Sequence, residues 1–192
     1  MPATETDALV ARLIGQLERR RASGEGVTAA EAAAAAADRM MAWGAGRAVV
    51  PDDPWLVELG VPAALAASGV EVLTWPPTLS PRELLGLDGA PATCGVTVPA
   101  AAVAERGTLV LESGPGHGRA LDVLGPFHLA LLRASRVVDT LAEALAPRFR
   151  GRRPPSAVSL VSGPSRTSDI EKISTLGAHG ALSEHVLIVV DA

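Results

Sequence analysis

From Arg47 onward the sequence alternates short apolar runs with stretches of helical character, and this alternation limits the possible folds more than any other feature. The runs are Arg47–Val50, Val70–Trp75, Thr108–Glu112, Phe127–Leu132, Ala157–Val161 and His185–Val190. Helical stretches fall between them, near Trp55–Ser68, Ser80–Leu87, Val98–Glu105 and Val137–Phe149. When helices separate successive strands, the strands return parallel and the helices cover the sheet on both faces. The run VLIVV at 186–190 shows no polar alternation, as expected for a strand buried on both sides. The expected fold is therefore α/β, with a Rossmann-like, mostly parallel sheet and flanking helices.

Two helices are expected before this pattern begins. Leu9, Val10, Leu13, Ile14 and Leu17 recur at helical spacing within residues 6–21. Gly24 and Gly26 then break the chain, and Thr28 with Glu31 forms a capping-box pattern ahead of an Ala-rich helix reaching Trp43. The expected organisation is an N-terminal helical segment, 1–46, followed by an α/β domain, 47–192.

Charge and cysteine content narrow the function. The formal net charge of -4 argues against a nucleic-acid binder, which would carry a basic excess. The single cysteine, Cys94, can form no internal disulfide and cannot hold an iron–sulfur cluster, which takes about four protein ligands. The opening MPATETDALVARL carries acids early and has no long apolar core, and no run is long enough to span a bilayer. The cytoplasm is the expected location. His117, His128 and His185 show none of the spacings of a zinc site, and no metal is expected.

In open α/β sheets, ligands gather beyond the carboxyl ends of the strands. That rule selects two segments. One is SGPGHGR, 113–119, after the run Thr108–Glu112; Gly114, Gly116 and Gly118 would let backbone N–H groups approach a phosphate or carboxylate. Arg119 stands where a dinucleotide fingerprint needs its third glycine, so a plain strand-to-helix turn explains this loop equally well. Glu105, just before the Gly107–Thr108 turn, is either a positioned acid/base or a solvated carboxylate.

The other segment is SGPSRTSDIEKISTLGAHG, 162–180. After the turn at Gly163–Pro164, a helix start near Asp169 would offer free N–H groups to an anion, and Arg166 would add a bidentate fork. Ser168 and Glu171 also match a capping box, so the loop can be read as an anion site or as a cap. His179, between two glycine-bearing points, is a candidate acid/base or a structural turn residue.

These residues resemble the LutC/YkgG-like family, the lactate-utilization or LUD domain. The likeness rests on GVT at 95–97, AERGTLVLESGPGHGR at 104–119 with the LGPFHLALL and SRVVDTL that follow, and SGPSRTSDIEKISTLGAHG ending in HVLIVVD, about residues 93–191. It implies a fold like the sugar-phosphate isomerase and CoA-transferase group (NagB/RpiA-like). It further implies an accessory role in oxidising L-lactate to pyruvate, beside sister proteins that carry the iron–sulfur clusters. No cofactor is then expected in this chain. The motifs nominate Thr97, Thr108, Gly114, Gly116, Gly163, Ser165, Arg166, Thr167 and Asp169 for a small anionic or phosphorylated ligand, and Glu105, Glu171 and His179 for acid/base work. Arg106 stands where the family usually has Thr, His117 where it often has Gln, and Ala181 where it often has Pro.

The loop chemistry also permits a stand-alone ligase- or transferase-like enzyme that acts on a carboxylate through ATP or CoA. A scaffold in which the loop only caps a helix is the third reading.

Overall fold

A computed structural model describes residues 4–77, 80–84, 91–151, 153–164, 166–168, 174–176 and 180–191. In chain order the elements are α1 (Glu5–Arg19), β1 (Ser23–Val27), α2 (Ala29–Trp43), β2 (Arg47–Val50), α3 (Pro54–Glu58), α4 (Val61–Ala67), β3 (Glu71–Thr74), α5 (Pro81–Leu84), β4 (Thr93–Thr97), β5 (Ala101–Val103), β6 (Thr108–Glu112), β7 (Phe127–Arg133), β8 (Val137–Val138), α6 (Leu141–Phe149), β9 (Val158–Val161), β10 (Arg166–Ser168), β11 (Ser174–Leu176) and β12 (Ser183–Val189).

Six strands form one sheet in the order β1-β12-β7-β4-β2-β3, and every adjacent pair is parallel. This is the parallel sheet that the alternating runs imply. The alternation of side chains along the central strands sends Leu129, Leu131, Leu187 and Val189 to one face, against Ala32, Ala36 and Met40 of α2 and Leu56, Val61 and Leu65 of α3 and α4. Ala130, Leu132, Val186 and Ile188 point the other way, against Val10, Leu13 and Leu17 of α1 and against Ala102, Leu109 and Leu111.

The second face is covered by a second sheet of four strands, in the order β8-β5-β6-β9. In it β6 runs antiparallel to both β5 and β9. Helix α6 lies on its outer side, where Ala144 packs with Ala101, Val103 and Val110. Seen in layers, the molecule is helices, parallel sheet, α1 with the second sheet, and α6.

Several local expectations change. The stretch Val98–Glu105, expected as a helix, contains β5; its run Ala101–Ala104 is small enough to lie buried between layers. Gly24 and Gly26 do not simply break the chain: they lie in β1, which pairs with β12, so residues 1–46 hold a sheet strand as well as two helices. A Cβ on Gly24 would come within 2.9 Å of Leu17 Cδ1, so the glycine lets the edge strand pass close to α1. The stretch Trp55–Ser68 divides at Gly60, which has a φ of +73° and starts α4. Thr93–Thr97 is a fully buried central strand that the apolar runs do not include.

The capping pattern at Thr28 is present: the Glu31 carboxylate accepts from the Thr28 backbone N–H at 2.9 Å and from its hydroxyl at 2.8 Å. Ser168, in contrast, is a strand residue paired with Ser174 in the β10–β11 hairpin, not a helix cap. Among the described residues, no helix is long and apolar enough to cross a membrane.

Candidate functional site

The parallel sheet has one point at which its connections diverge. From β2 the chain runs outward through α3 and α4 to the edge strand β3, whereas β4 leads in the opposite direction, toward β7. The crevice beyond the carboxyl ends of β2 and β4 is the place where an open α/β sheet binds ligands.

A cleft of about 490 Å³ lies there. Asp53 follows β2, Val98 to Ala100 follow β4, and Arg133 ends β7. Glu112 of the second sheet, Arg136 of the short turn after β7 and Arg148 of α6 complete the wall. Three arginines thus face two acids, which leaves the lining with one positive charge in excess.

Four of the five charged groups are held by contacts with neighbouring residues. The Arg133 guanidinium lies 4.1 Å from the Trp55 ring centroid, a cation–π contact that orients it while leaving its N–H groups for other partners. Arg148 Nε is 2.8 Å from Glu112 Oε1, off the hydrogen-bond axis, and its Nη2 donates to the Ala100 carbonyl. Asp53 Oδ1 accepts from Trp55 N at 2.9 Å and so caps α3. Arg136 is exposed at the rim.

The glycine loop after β6 does reach this region, but its glycines serve packing. Asp52 N donates to Gly116 O at 2.9 Å, and a Cβ on Gly116 would come within 2.8 Å of Asp52 O. A Cβ on Gly118 would meet the Trp75 ring at 2.2 Å. The loop is therefore a close lid over the ends of β2 and β3, and Gly114 closes it through a bridge to His117. His117 Nε2 accepts from Val98 N at 3.4 Å, so His117 sits directly behind the cleft wall. Burial holds its imidazole below the ordinary histidine range, an effect that Asp53 and Asp122 partly offset.

The described parts of the two strand-end segments lie apart. Because β6 and β9 are antiparallel, Glu112 pairs with Val158 and Leu109 with Val161, so their carboxyl ends lie at opposite edges of the second sheet. Gly114 and Gly116 sit by the cleft, while Gly163 and Thr108 sit at the far edge, where Thr108 Oγ1 and Ser162 Oγ are 2.7 Å apart. Gly163 has a φ of +90°, and its missing Cβ leaves room for the Arg20 carbonyl.

Glu105 lies in the β5–β6 turn, 3.4 Å from Arg106 in an ion pair, and does not line the cleft. Thr97, at the end of β4, is fully buried and bonds His128 Nε2 at 2.8 Å rather than facing the cleft. Arg166 and Thr167 lie in β10. Ser165, Asp169, Glu171 and His179 lie outside the described residues.

The cleft arginines come from segments whose motifs do not advertise them. Arg133 directly follows the run Phe127–Leu132, so the strand-end rule points to it too. Arg136 and Arg148 offer no such signal: a short turn after β7 and the last turn of α6 bring them in.

Comparison with known proteins fits this architecture. The LUD domain model matches residues 10–189. This chain belongs to the LUD domain family. The match takes in the N-terminal half as well as the motif-bearing half.

Lactate utilization protein C of Geobacillus kaustophilus is 33% identical over 172 residues, covering 85% of this chain and 71% of that protein. Lactate utilization protein C of Deinococcus radiodurans is 35% identical over 138 residues, covering 70% of this chain and 61% of that protein. The uncharacterized protein YkgG of Escherichia coli is 33% identical over 147 residues, 74% of this chain and 62% of its own length. A crystal structure of a DUF162 family protein from Deinococcus radiodurans superposes with a TM-score of 0.68 at 27% identity, covering 97% of this chain and 99% of that one.

Proposed function

We infer that this LUD-domain chain works in lactate utilization, as an accessory component that binds a small anion in the cleft at the switch point. The relatives named lactate utilization protein C support the pathway. The observation that carries the binding reading is the convergence of Arg133 and Arg136 on a polar cleft beyond β2, β4 and β7. Guanidinium groups match carboxylate and phosphate in a planar, two-point geometry. The Trp55 ring under Arg133 and the Glu112 partner of Arg148 fix two of the three arginines before a ligand arrives, which lowers the ordering cost of binding.

The oxidation itself requires an electron acceptor. Cys94 is fully buried in β4, so this chain's thiol does not face the cleft. In this reading the iron–sulfur clusters belong to sister proteins, and this chain supplies ligand recognition and docking.

Calorimetry with L-lactate, pyruvate and inorganic phosphate tests the site. Arg133→Ala and Arg136→Ala should each weaken binding of the preferred anion by about tenfold, the loss of one charge-assisted contact. Equal affinity in wild type and both variants would remove the cleft from the reading. Growth on L-lactate of a strain lacking this chain tests the pathway separately.

A further inference from the structure

The amino end of the parallel sheet, opposite the arginine cleft, brings together a second group of polar side chains. Ser23 opens the edge strand β1, and its partner in β12 is His185. Residues two apart on a strand share a face, so Glu25 stands on the same side as Ser23. The His185 ring joins them: Nδ1 is 2.7 Å from Ser23 Oγ, and Nε2 is 3.0 Å from Glu25 Oε1. Glu184, the residue before His185, turns to the other face, where its Oε2 is 3.5 Å from His128 Nδ1.

Hydroxyl, imidazole and carboxylate thus form one chain of contacts, in the order that activates a serine. The carboxylate holds the ring proton on Nε2 and leaves the Nδ1 lone pair to the hydroxyl. Burial, with the Arg39 charge adding to it, keeps the His185 ring below the ordinary histidine range, so it is neutral and able to accept a proton at pH 7. Glu25 is held in turn by Arg39, whose Nη2 is 3.6 Å from Oε1. The other contact of Ser23 Oγ, to the Glu184 carbonyl, is longer at 3.5 Å and competes weakly.

Ser23 is half-buried and lines a pocket of about 360 Å³ together with Ala22, Trp43 and Ser183. Trp43 meets the His185 ring edge-on, with centroids 6.4 Å apart, so the pocket reaches the side of the sheet to which Ser23 and His185 point.

We propose that Ser23 is an acyl-accepting nucleophile for small carboxylic esters, with His185 as its general base and Glu25 as a positioning residue. Ser23 Oγ attacks the ester carbonyl carbon while His185 Nδ1 takes the hydroxyl proton. The bond to the leaving oxygen breaks, and the alcohol departs with that proton. Water then attacks the acyl-serine by the same route, which releases the carboxylic acid and restores the hydroxyl. Glu25 fixes the ring's tautomer and balances the imidazolium charge without touching the ester. The assignment does not depend on the arginine cleft.

A biotinylated fluorophosphonate and p-nitrophenyl acetate test this on the full chain. The fluorophosphonate should label Ser23, as located by peptide mass spectrometry. Ser23→Ala should lose both the label and the ester hydrolysis. His185→Gln should slow both by about a hundredfold, the low end for a positioned base. Glu25→Gln, at a side chain that is 49% exposed, should lower kcat by at least about tenfold with KM and the urea midpoint near wild type, a split that a packing role would not give. If His185→Gln does not fold, Ser23→Ala and Glu25→Gln decide. The proposal is overturned if the label falls elsewhere or nowhere, if Ser23→Ala hydrolyses the ester at the wild-type rate, or if folded Glu25→Gln keeps the wild-type kcat.

Discussion

Arg148 in the last turn of α6 and Glu112 at the end of β6 form an ion pair at 2.8 Å, with side-chain exposures of 10% and 21%. The pair joins α6 to the second sheet and builds one wall of the arginine cleft. The same guanidinium donates to Ala100 O, just beyond β4, so one side chain ties three elements together.

Removing Arg148 breaks both the enclosed ion pair with Glu112 and the hydrogen bond to the Ala100 carbonyl. Arg148→Ala should therefore destabilise the fold by about 3 kcal/mol, the lower end for a broken buried pair. Arg148→Met, which keeps the aliphatic stem packed, should lose less. Urea denaturation of the two variants checks the order, and equal losses would assign the effect to charge alone.

Gly95 sits in the centre of β4, where a Cβ would come within 1.6 Å of the Leu121 carbonyl. The neighbour is backbone, in the short turn Leu121–Val123, and cannot rotate away as a side chain could. Gly95→Ala should cost at least about 3 kcal/mol by overpacking. It should also disturb His128, whose backbone is paired with Gly95 in the adjacent strand. Thermal unfolding of the variant provides the measurement, and a change within about 0.5 kcal/mol would show that the turn is free to move.

Cys94 is fully buried in the same strand, and burial pushes its thiol well above the ordinary range. The thiolate is the reactive form, so this residue should be inert in the native chain. A colorimetric disulfide reagent should therefore react with it at the rate of unfolding, and about one equivalent should be consumed in denaturant. Fast reaction under native conditions would contradict the buried placement.

The parallel sheet was legible because Phe127–Leu132 and His185–Val190 are apolar on both faces, a pattern with few other homes. Thr93–Thr97 was hard to see because Thr, Cys and Gly carry little hydrophobic signal, although the strand is wholly buried. The Val98–Glu105 stretch looked helical because alanine favours helices locally; between two packed layers, its small size mattered more than its propensity. The two motif loops looked like one site because the strand-end rule presumes parallel strands. β6 and β9 are antiparallel, a relation that rests on long-range pairing and leaves no local mark. Arg133 could be found from its place after a strand, whereas Glu184 and His128 become a pair only when β12 and β7 lie side by side.

His185 and His117 set the response to acid. Burial is the main cause that holds both imidazoles below the ordinary value of 6.5. At His185 the Arg39 charge adds to this, while the hydrogen bond and charge of Glu25 oppose it. His185 Nδ1 is 2.7 Å from Ser23 Oγ and Nε2 is 3.0 Å from Glu25 Oε1, which fits a neutral ring that accepts from the serine and donates to the carboxylate. As pH falls below 6.5, the unfolded chain takes up protons that the folded chain resists. The stability from these two rings is thus complete above that value and is lost on the acid side of it. Urea midpoints should be level from about pH 8 to 7 and should fall below about pH 6.5. His117→Gln should flatten part of that fall while leaving the His185 share. A midpoint that rises on acidification, or a variant with an unchanged slope, would show that these rings are not the groups that titrate.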